Sequence, residues 1–261
     1  MSDFLDVLAR DAKATVESGY YEHPAKAATP RVSLRNAILQ CPRVPVIAEV
    51  KGVSPSKGAI RENFEAGKIA LAMARGGAAG ISVLTEPKHF NGSLSNLAAV
   101  RREVNLPVLM KDIIVSILQL DAAASLGADA VLLIQAVYDR GYGELCLAEM
   151  VEEAHLRELE VMLEVHDENE FRQAAESAAD LVGINNRSLA TLQVDLNVTK
   201  NILKRNHVPG MLVVSESGVC TPNDILFLSG CGANAFLIGS AIMSADGVEA
   251  KVKEFTIAQS Q

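Results

Sequence analysis

The sequence predicts an α/β fold, a single (β/α)8 TIM barrel with an N-terminal helical extension, forming one domain over residues 1–261. Eight short runs rich in β-branched residues each end in charged or small polar residues, and helical patterns alternate with these runs. The runs are nearly continuous in apolar residues, which is typical of parallel strands covered on both faces. A length of 261 residues suits one barrel and favours one domain over two.

The predicted extension covers residues 1–43 and precedes a barrel over residues 44–261. Its apolar residues recur at helical spacing, at Leu5, Leu8, Ala12 and Val16. Ser2 or Asp3 can cap this helix and Gly19 can end it, while a second short helix is expected at 33–39. Because the apolar stripe needs a surface to bury, we expect the extension to pack over one end of the barrel.

The predicted strands follow in chain order. They are Val44–Lys51, Gly77–Thr85, Leu106–Asp112, Gly127–Ile134, Glu160–Val165, Leu181–Asn186, Met211–Ser217 and Asn234–Ser240. Helices are predicted at Ser95–Val104, Ser116–Leu126, Gly143–Leu156, Glu168–Ala178, Val198–Lys204 and Asn223–Ser229. The longest strand-to-helix connections, Gly52–Asn63 and Glu86–Ser95, are expected to be lids or binding loops.

Composition limits the classes of partner. A net charge of −8 argues against nucleic-acid binding, which would show a basic face, so an anionic ligand must be held by a few placed cations. The four cysteines show no metal-ligand spacing and are expected to be free thiols, with no metal bound. No signal peptide or membrane-spanning run is apparent, which predicts a cytoplasmic protein that does not contact a membrane.

Charged and polar residues gather where the predicted strands end, which is the catalytic end of such barrels. These residues are Glu49, Lys51, Lys111, Glu164, Asn185, Arg187, Glu216 and Ser217. Glu49 and Lys51 lie two apart on one strand and therefore point to the same side. Charges are expensive to bury unless they are paired or used, so the set is either a salt-bridge network or an acid/base site. Its place at the catalytic end favours the acid/base site.

The ends of the last two strands carry small residues. Ser217-Gly218 and Gly239-Ser240 occupy the place where barrels of this kind build a phosphate site from backbone N–H groups. Either glycine alone would indicate an ordinary turn. The pair on the last two strands instead predicts a small, phosphorylated, anionic substrate.

The strand ends and loops together resemble the indole-3-glycerol phosphate synthase family over roughly residues 44–243. The resemblance rests on Glu49-Val50-Lys51, Ser54-Pro55-Ser56, Ser82-Val83-Leu84-Thr85-Glu86, Phe90-Asn91-Gly92-Ser93, Pro107-Val108-Leu109-Met110-Lys111-Asp112, the run 127–134, Gly183-Ile184-Asn185-Asn186-Arg187, Ser215-Glu216-Ser217-Gly218 and Phe236-Leu237-Ile238-Gly239-Ser240. The resemblance implies a lyase of tryptophan biosynthesis that closes 1-(2-carboxyphenylamino)-1-deoxyribulose 5-phosphate to indole-3-glycerol phosphate. Carbon dioxide and water are lost, and no metal or organic cofactor takes part.

The resemblance also implies roles for the residues. Lys111 would be the acid at the ribulose carbonyl, and Lys51 would hold the anthranilate carboxylate and act as an acid in dehydration. Glu164 would stabilise a cationic intermediate or take a proton, and Glu49 would tune Lys51 and serve as a later base. Which lysine acts in which step stays open.

Other residues would bind or orient the substrate. Asn185 and Arg187 resemble an orienting pair, and Glu216 with Ser217 would contact the sugar hydroxyls. The remaining substrate contacts implied by the resemblance are Ser54, Phe90, Ile113, Leu189, Gly218, Gly239 and Ser240. Two positions depart from the family, which usually has an aromatic residue at Ile113 and a basic residue at Gly52.

Three alternative functions compete with this interpretation. A Schiff-base aldolase would use Lys51 or Lys111, but it needs a depressed lysine pKa. Phosphoribosylanthranilate isomerase, a related phosphate-binding barrel, uses a Cys and an Asp where this chain has Ala48-Glu49-Val50-Lys51. A barrel kept only for ligand binding or assembly is the third. The oligomeric state is open from the sequence, with a monomer favoured.

Overall fold

A closed barrel of eight parallel strands forms the centre of the protein in a computed structural model. The structure describes residues 3–22, 31–54, 58–61, 64–188, 191–206 and 208–258. The barrel strands are β1 (Val46–Val50), β4 (Gly80–Leu84), β5 (Val108–Lys111), β6 (Ala130–Ile134), β7 (Glu160–Val165), β8 (Leu181–Asn185), β9 (Val213–Glu216) and β10 (Ala235–Ile238). β1 pairs with both β4 and β10, which closes the barrel. Each strand lies within its predicted run, so the (β/α)8 prediction is confirmed.

A short antiparallel hairpin follows the first barrel strand. It consists of β2 (Val53–Ser54) and β3 (Gly58–Ala59) and lies within the connection predicted as a long loop. The second long connection runs from β4 to the next helix, and the Glu86 carboxylate organises its first turn. That carboxylate accepts hydrogen bonds from the backbone N–H groups of Lys88, His89 and Phe90.

Helices surround the barrel. They are α1 (Phe4–Glu17), α2 (Leu34–Leu39), α3 (Ala66–Arg75), α4 (Leu94–Glu103), α5 (Ile117–Leu126), α6 (Gln135–Asp139), α7 (Leu147–Leu156), α8 (Glu168–Glu176), α9 (Asn197–Arg205), α10 (Pro222–Gly230), α11 (Ser240–Met243) and α12 (Val248–Thr256). Four of these, α3, α6, α11 and α12, were not among the predicted helices. The buried residues of α3, Ala66, Gly67, Ala70 and Met73, recur at helical spacing, so the sequence did carry a signal for this helix.

The extension packs against the ends of the barrel, as expected. Helix α1 covers the catalytic end, whereas residues 31–39 contact the opposite end, where Val32 N donates to Asp129 Oδ1 at 2.8 Å and Arg35 N donates to Glu160 Oε2 at 3.0 Å. Asp3 caps α1, and Leu5, Leu8 and Ala12 are buried in the apolar cluster that fills the barrel interior. Arg140 donates from Nη1 to Asp3 Oδ1 at 2.7 Å and to Asp6 Oδ1 at 2.8 Å. The helix is therefore joined to the barrel by both apolar packing and ion pairs.

Alternation along each strand places the polar ends. Ile47, Leu109, Met162 and Val214 belong to the interior cluster of the barrel. Residues two further along a strand point to the same side, so the next inward positions are Glu49, Lys111, Glu164 and Glu216. Each inward row thus changes from apolar to charged at the carboxyl end of the barrel.

The four cysteines, Cys41, Cys146, Cys220 and Cys231, are free thiols. Among the helices of the described residues, none has the length and apolar character needed to cross a bilayer.

Candidate active site

A cavity of about 530 Å3 opens at the carboxyl ends of the strands. The predicted residues that line it are Glu49, Lys51, Phe90, Lys111, Ile113, Glu164, Asn185, Arg187, Glu216, Ser217, Gly218, Gly239 and Ser240. Of the other two, Leu189 lies outside the described residues, and so does the side chain of Ser54. The structure therefore brings together the described residues of the predicted set.

Lys111 stands at the centre of the charged cluster. Its Nζ lies 3.0 Å from Glu164 Oε2 and 2.8 Å from Glu216 Oε2, and both carboxylates are almost fully buried. Burial disfavours the ammonium, but the charges of Glu164, Glu216 and Glu49 outweigh it and raise the pKa of Lys111 above its usual range. A lysine that forms a Schiff base needs the opposite shift, so this environment does not favour an aldolase.

The two carboxylates around Lys111 differ in their surroundings. Glu164 Oε1 accepts a hydrogen bond from Asn185 Nδ2 at 3.0 Å and also lies 3.3 Å from His166 Nε2. Against the effect of burial, Lys111, His166 and Asn185 hold the pKa of Glu164 well below its usual range. Burial and the neighbouring charges of Glu164 and Glu49, opposed by Lys111, raise the pKa of Glu216 to about 7.

Glu216 also shows why position 183 is a glycine. Glu216 Oε1 is buried with no hydrogen-bond partner among the described residues, and it lies over the α-carbon of Gly183 on the neighbouring strand. A Cβ at residue 183 would collide with this oxygen. The absence of a side chain there gives the Glu216 carboxylate the room it needs beside Lys111.

A second ammonium stands across the cavity. Lys51 Nζ lies 2.7 Å from Glu49 Oε1, so the pair predicted from their spacing on β1 is present. A Cβ at Gly239 would collide with Glu49 Oε1 and would lie 2.9 Å from Lys51 Cε. Close approach of β10 to this ion pair therefore requires glycine at position 239.

The ends of β9 and β10 form the small-residue side of the cavity. Ser217 and Gly218 have φ values of 63° and 90°, and a non-glycine residue at positive φ is uncommon. Gly239 precedes Ser240, the first residue of the short helix α11. Backbone at this side can approach an anion closely, as a phosphate site requires.

Asn185 and Arg187 follow each other along the end of β8. The Asn185 side chain accepts a hydrogen bond from Arg187 N at 3.0 Å, and Arg187 Nη1 donates to Leu192 O at 2.9 Å. Burial lowers the pKa of the half-buried Arg187 guanidinium. The pair is thus held at the cavity wall by its own loop, with Arg187 supplying a third cation there.

An apolar wall faces the charged cluster. It is formed by Phe4, Leu8, Phe90, Ile113, Leu132 and Ile134. The sequence predicted that the extension covers the barrel, but not that Phe4 and Leu8 line the site. The helical stripe indicates that these residues are buried, whereas only the fold shows that they are buried over the cavity.

His166 is a third residue that the sequence prediction did not include. Its ring lies between Glu164 of β7 and Glu170 of α8, each within 3.3 Å of one ring nitrogen. The sequence did offer a signal, because His166 lies two residues after Glu164, just as Lys51 lies two residues after Glu49.

Comparison with solved structures supports the fold. The chain is similar to thiamine phosphate pyrophosphorylase from Pyrococcus furiosus, with a TM-score of 0.59 and 19% identity over 85% of this chain and 96% of that one. At this identity the likeness concerns the fold alone.

Sequence comparison is more specific. The chain is 39% identical to indole-3-glycerol phosphate synthase of Koribacter versatilis, covering 95% of this chain and 94% of that protein. It is 40% identical to the Aromatoleum aromaticum protein of the same name, covering 93% and 95%. The Methanocaldococcus jannaschii protein of that name is 43% identical, covering 82% and 78%. The family model of indole-3-glycerol phosphate synthase matches residues 6–255. The chain therefore belongs to the indole-3-glycerol phosphate synthase family, carboxy-lyases of tryptophan biosynthesis.

Proposed function

We propose that the two carboxylate-held ammonium groups divide the acid steps of the family's reaction between them. That reaction closes 1-(2-carboxyphenylamino)-1-deoxyribulose 5-phosphate to indole-3-glycerol phosphate with loss of carbon dioxide and water. The observation that carries the proposal is the placement of Lys111 and Lys51 in one cavity, each against buried carboxylates, between an apolar wall and a small-residue wall. An anthranilate ring, a ribulose chain and a phosphate need these three environments.

Lys111 acts in the ring closure. As the aromatic carbon attacks the ribulose carbonyl carbon, the carbonyl oxygen becomes a hydroxyl by accepting a proton from Nζ. Glu216 lies 2.8 Å from that nitrogen and has a pKa of about 7, so it can restore the proton near neutral pH. Glu164 stays ionised and stabilises the cation that ring closure leaves on the anilino nitrogen.

Lys51 and Glu49 supply the acid and the base of the dehydration, which follows the decarboxylation that restores the aromatic ring. Lys51 first pairs with the anthranilate carboxylate and then gives a proton to the hydroxyl that leaves as water. Glu49, 2.7 Å from Lys51, takes the proton from the carbon beside the nitrogen, which completes the indole double bond. Asn185, Arg187 and Ser217 orient the substrate from the ends of β8 and β9.

The apolar wall holds the anthranilate ring. Phe90 and Ile113 face it from the barrel loops, and Phe4 and Leu8 cover it from α1. We propose on this basis that the extension 1–43 and the barrel 44–261 work as one domain, because the wall is complete only with both.

Ile113→Phe tests the contact with the ring. An aromatic pair is worth about 0.5–1.5 kcal/mol beyond area burial, so KM should fall by about three- to tenfold if the added ring faces the anthranilate. Ile113 is already buried in the interior cluster, and overpacking would instead lower Tm. Steady-state kinetics and thermal unfolding of the same variant separate these effects. An unchanged Tm with an unchanged KM would show that Ile113 does not contact the ring.

The small-residue wall holds the phosphate through Gly218, Gly239 and Ser240, with Ser54 and Leu189 as further proposed contacts. Gly239→Ala keeps the backbone N–H, but its Cβ would push the end of β10 away from Glu49 and so move this N–H away from the phosphate. KM should therefore rise at least about tenfold, as expected when one hydrogen bond to a charged group, worth about 1.5–3 kcal/mol, is lost. The substitution should also lower kcat, because its Cβ would collide with Glu49 of the Lys51 pair.

The matched control is Gly247→Ala, since a Cβ there meets only Ala250 at 3.7 Å. The control should keep the parental KM and kcat. Inorganic phosphate should compete with substrate for the parent enzyme and less effectively for Gly239→Ala. If inorganic phosphate inhibited both proteins equally and Gly239→Ala kept the parental KM, Gly239 would not be part of the phosphate site.

Indole fluorescence tests the whole assignment. The purified chain, mixed with the carboxyphenylamino-deoxyribulose phosphate and no added metal or cofactor, should generate the indole emission of the product. Absence of product from a folded preparation would leave a ligand-binding barrel as the better description.

We further propose a cytoplasmic monomer that binds neither nucleic acid nor membranes. The free thiols agree with a reducing compartment, and the net charge of −8 disfavours polyanions.

A further inference from the structure

His166 lies behind the charged cluster and does not line the cavity. Its Nε2 is 3.3 Å from Glu164 Oε1, and its Nδ1 is 3.3 Å from Glu170 Oε2. The same Glu170 oxygen accepts the backbone N–H of His166 at 2.7 Å, so backbone and ring are fixed by one carboxylate. The side chain is 13% exposed, which places the ring largely out of water.

We propose that His166 is a positioning residue, whose imidazolium keeps the Glu164 carboxylate free of a proton and directed at Lys111. The inference rests on the proposed role of Glu164 in stabilising the cationic intermediate.

Two carboxylates share the Lys111 ammonium. Glu164 and Glu216 are both buried and both lie within 3.0 Å of the same ammonium. Like charges this close cannot both ionise freely, so one carboxylate becomes the preferred site for a proton. Lys111 alone does not decide between them, because it contacts both.

The other oxygen of each carboxylate makes the difference. Glu164 Oε1 accepts a hydrogen bond from Asn185 Nδ2 at 3.0 Å and has His166 Nε2 at 3.3 Å as a charge contact without hydrogen-bond geometry, whereas Glu216 Oε1 has neither kind of partner within the described part of the chain. Asn185 offers only a dipole, while a protonated His166 offers a full charge. When the two carboxylates hold one proton between them, that proton therefore lies on Glu216, and Glu164 keeps its negative charge.

The surroundings of His166 maintain that charge. The charged groups facing the ring are Glu164 from its own strand and Glu170 from α8, with Lys111 of β5 beyond the Glu164 carboxylate. Burial disfavours the imidazolium, but the two carboxylates outweigh it and raise the pKa of His166 to about 9. A raised pKa means that the charged ring is present near neutral pH and is lost as pH rises through about 9.

The charge matters most during turnover. When Lys111 gives its proton to the substrate oxygen, Glu164 loses the ammonium that was its nearest cation. A fixed imidazolium on the opposite oxygen remains, so Glu164 does not take the proton that Glu216 must return to Lys111. This contribution affects the reacting complex more than substrate binding.

His166→Gln tests the inference through the pH dependence of kcat. The parent should exceed the variant by about tenfold near neutral pH, the equivalent of one pKa unit of interaction. The ratio of the two kcat values should approach one above about pH 9, where the parental ring is also neutral. KM should stay near the parental value, because His166 does not line the cavity.

The matched control is His155→Gln, since His155 also pairs with a carboxylate, Asp180 at 2.9 Å, but on a helix remote from the cavity. Its kcat ratio to the parent should be one at every pH. A ratio for His166→Gln that is one, or that does not change with pH, would overturn the proposal.

An NMR titration of the imidazole C–H signals gives a readout independent of activity and of whether His166→Gln folds. One histidine of the parent should titrate near 9. In Glu164→Gln its pKa should fall, because the first of its two carboxylate partners has become neutral. No signal titrating near 9, or one unmoved in Glu164→Gln, would contradict the inference. An active Glu164→Gln would instead contradict the assigned role of Glu164 itself, so the two failures are distinguishable.

Discussion

Lys111→Ala should lower kcat by at least about 10²-fold, the lower end of what a positioned acid or base contributes. Nζ is the proton donor proposed for the carbonyl oxygen, and it is also the only described cation within 3.0 Å of both Glu164 and Glu216. Its loss removes the acid and leaves two buried carboxylates facing each other. One of these carboxylates then takes a proton. The variant therefore lacks the proton donor, and its carboxylate pair no longer carries the charge that it has in the parent.

The barrel should survive this change. The strands are held by parallel pairing around the whole barrel and by an apolar interior, and Lys111 lies at their rim. Lys68→Ala is the control, because Lys68 also forms an ion pair but is exposed on α3. Circular dichroism and Tm establish folding, and steady-state kinetics give kcat. A folded Lys111→Ala that turns over within a few-fold of the parent would show that another group protonates the carbonyl.

Glu164→Gln is expected to have an effect of similar size, at least about 10²-fold on kcat. The amide keeps the shape of the side chain but removes the negative charge proposed to stabilise the cation on the anilino nitrogen. It also places an NH2 group where donors from Asn185 and Lys111 now converge, next to the His166 ring, so part of the network must reorganise. KM should change less than kcat, because the charge acts on the intermediate.

Glu168→Gln provides the control for Glu164→Gln. Glu168 lies close in sequence, carries the same charge and pairs with Arg172 and Arg205 on the outer surface. Its substitution should leave kcat and KM at parental values. If Glu164→Gln also behaved in this way, the carboxylate would be a structural partner of Lys111 and not part of the chemistry.

The strands were predictable because a parallel barrel buries them on both faces. A run such as Val161–Leu163 has no polar side to expose, and it ends in Glu164 at the point where the interior opens to the cavity. The same abrupt change identified Lys111 and Glu216. Position along a strand therefore carried most of the information about the site.

Pairings between strands were not predictable in the same way. The bridge that Lys111 makes between Glu164 and Glu216 depends on strand order and stagger in the closed barrel, whereas the pairing of Lys51 with Glu49 followed from their spacing along one strand. Phe4 and Leu8 reach the cavity only through the path of the extension over the mouth.

The contact between Gly183 and Glu216 has a consequence for how this site can change over generations. Any side chain at position 183 collides with Glu216 Oε1, so substitution there is harmful as long as Glu216 keeps its length and place beside Lys111. A shorter residue at 216 would relieve the collision, but it would first give up the contact with Lys111. The two positions are thus epistatic. In a lineage that abandons this reaction, Glu216 must be replaced before residue 183 becomes free to vary.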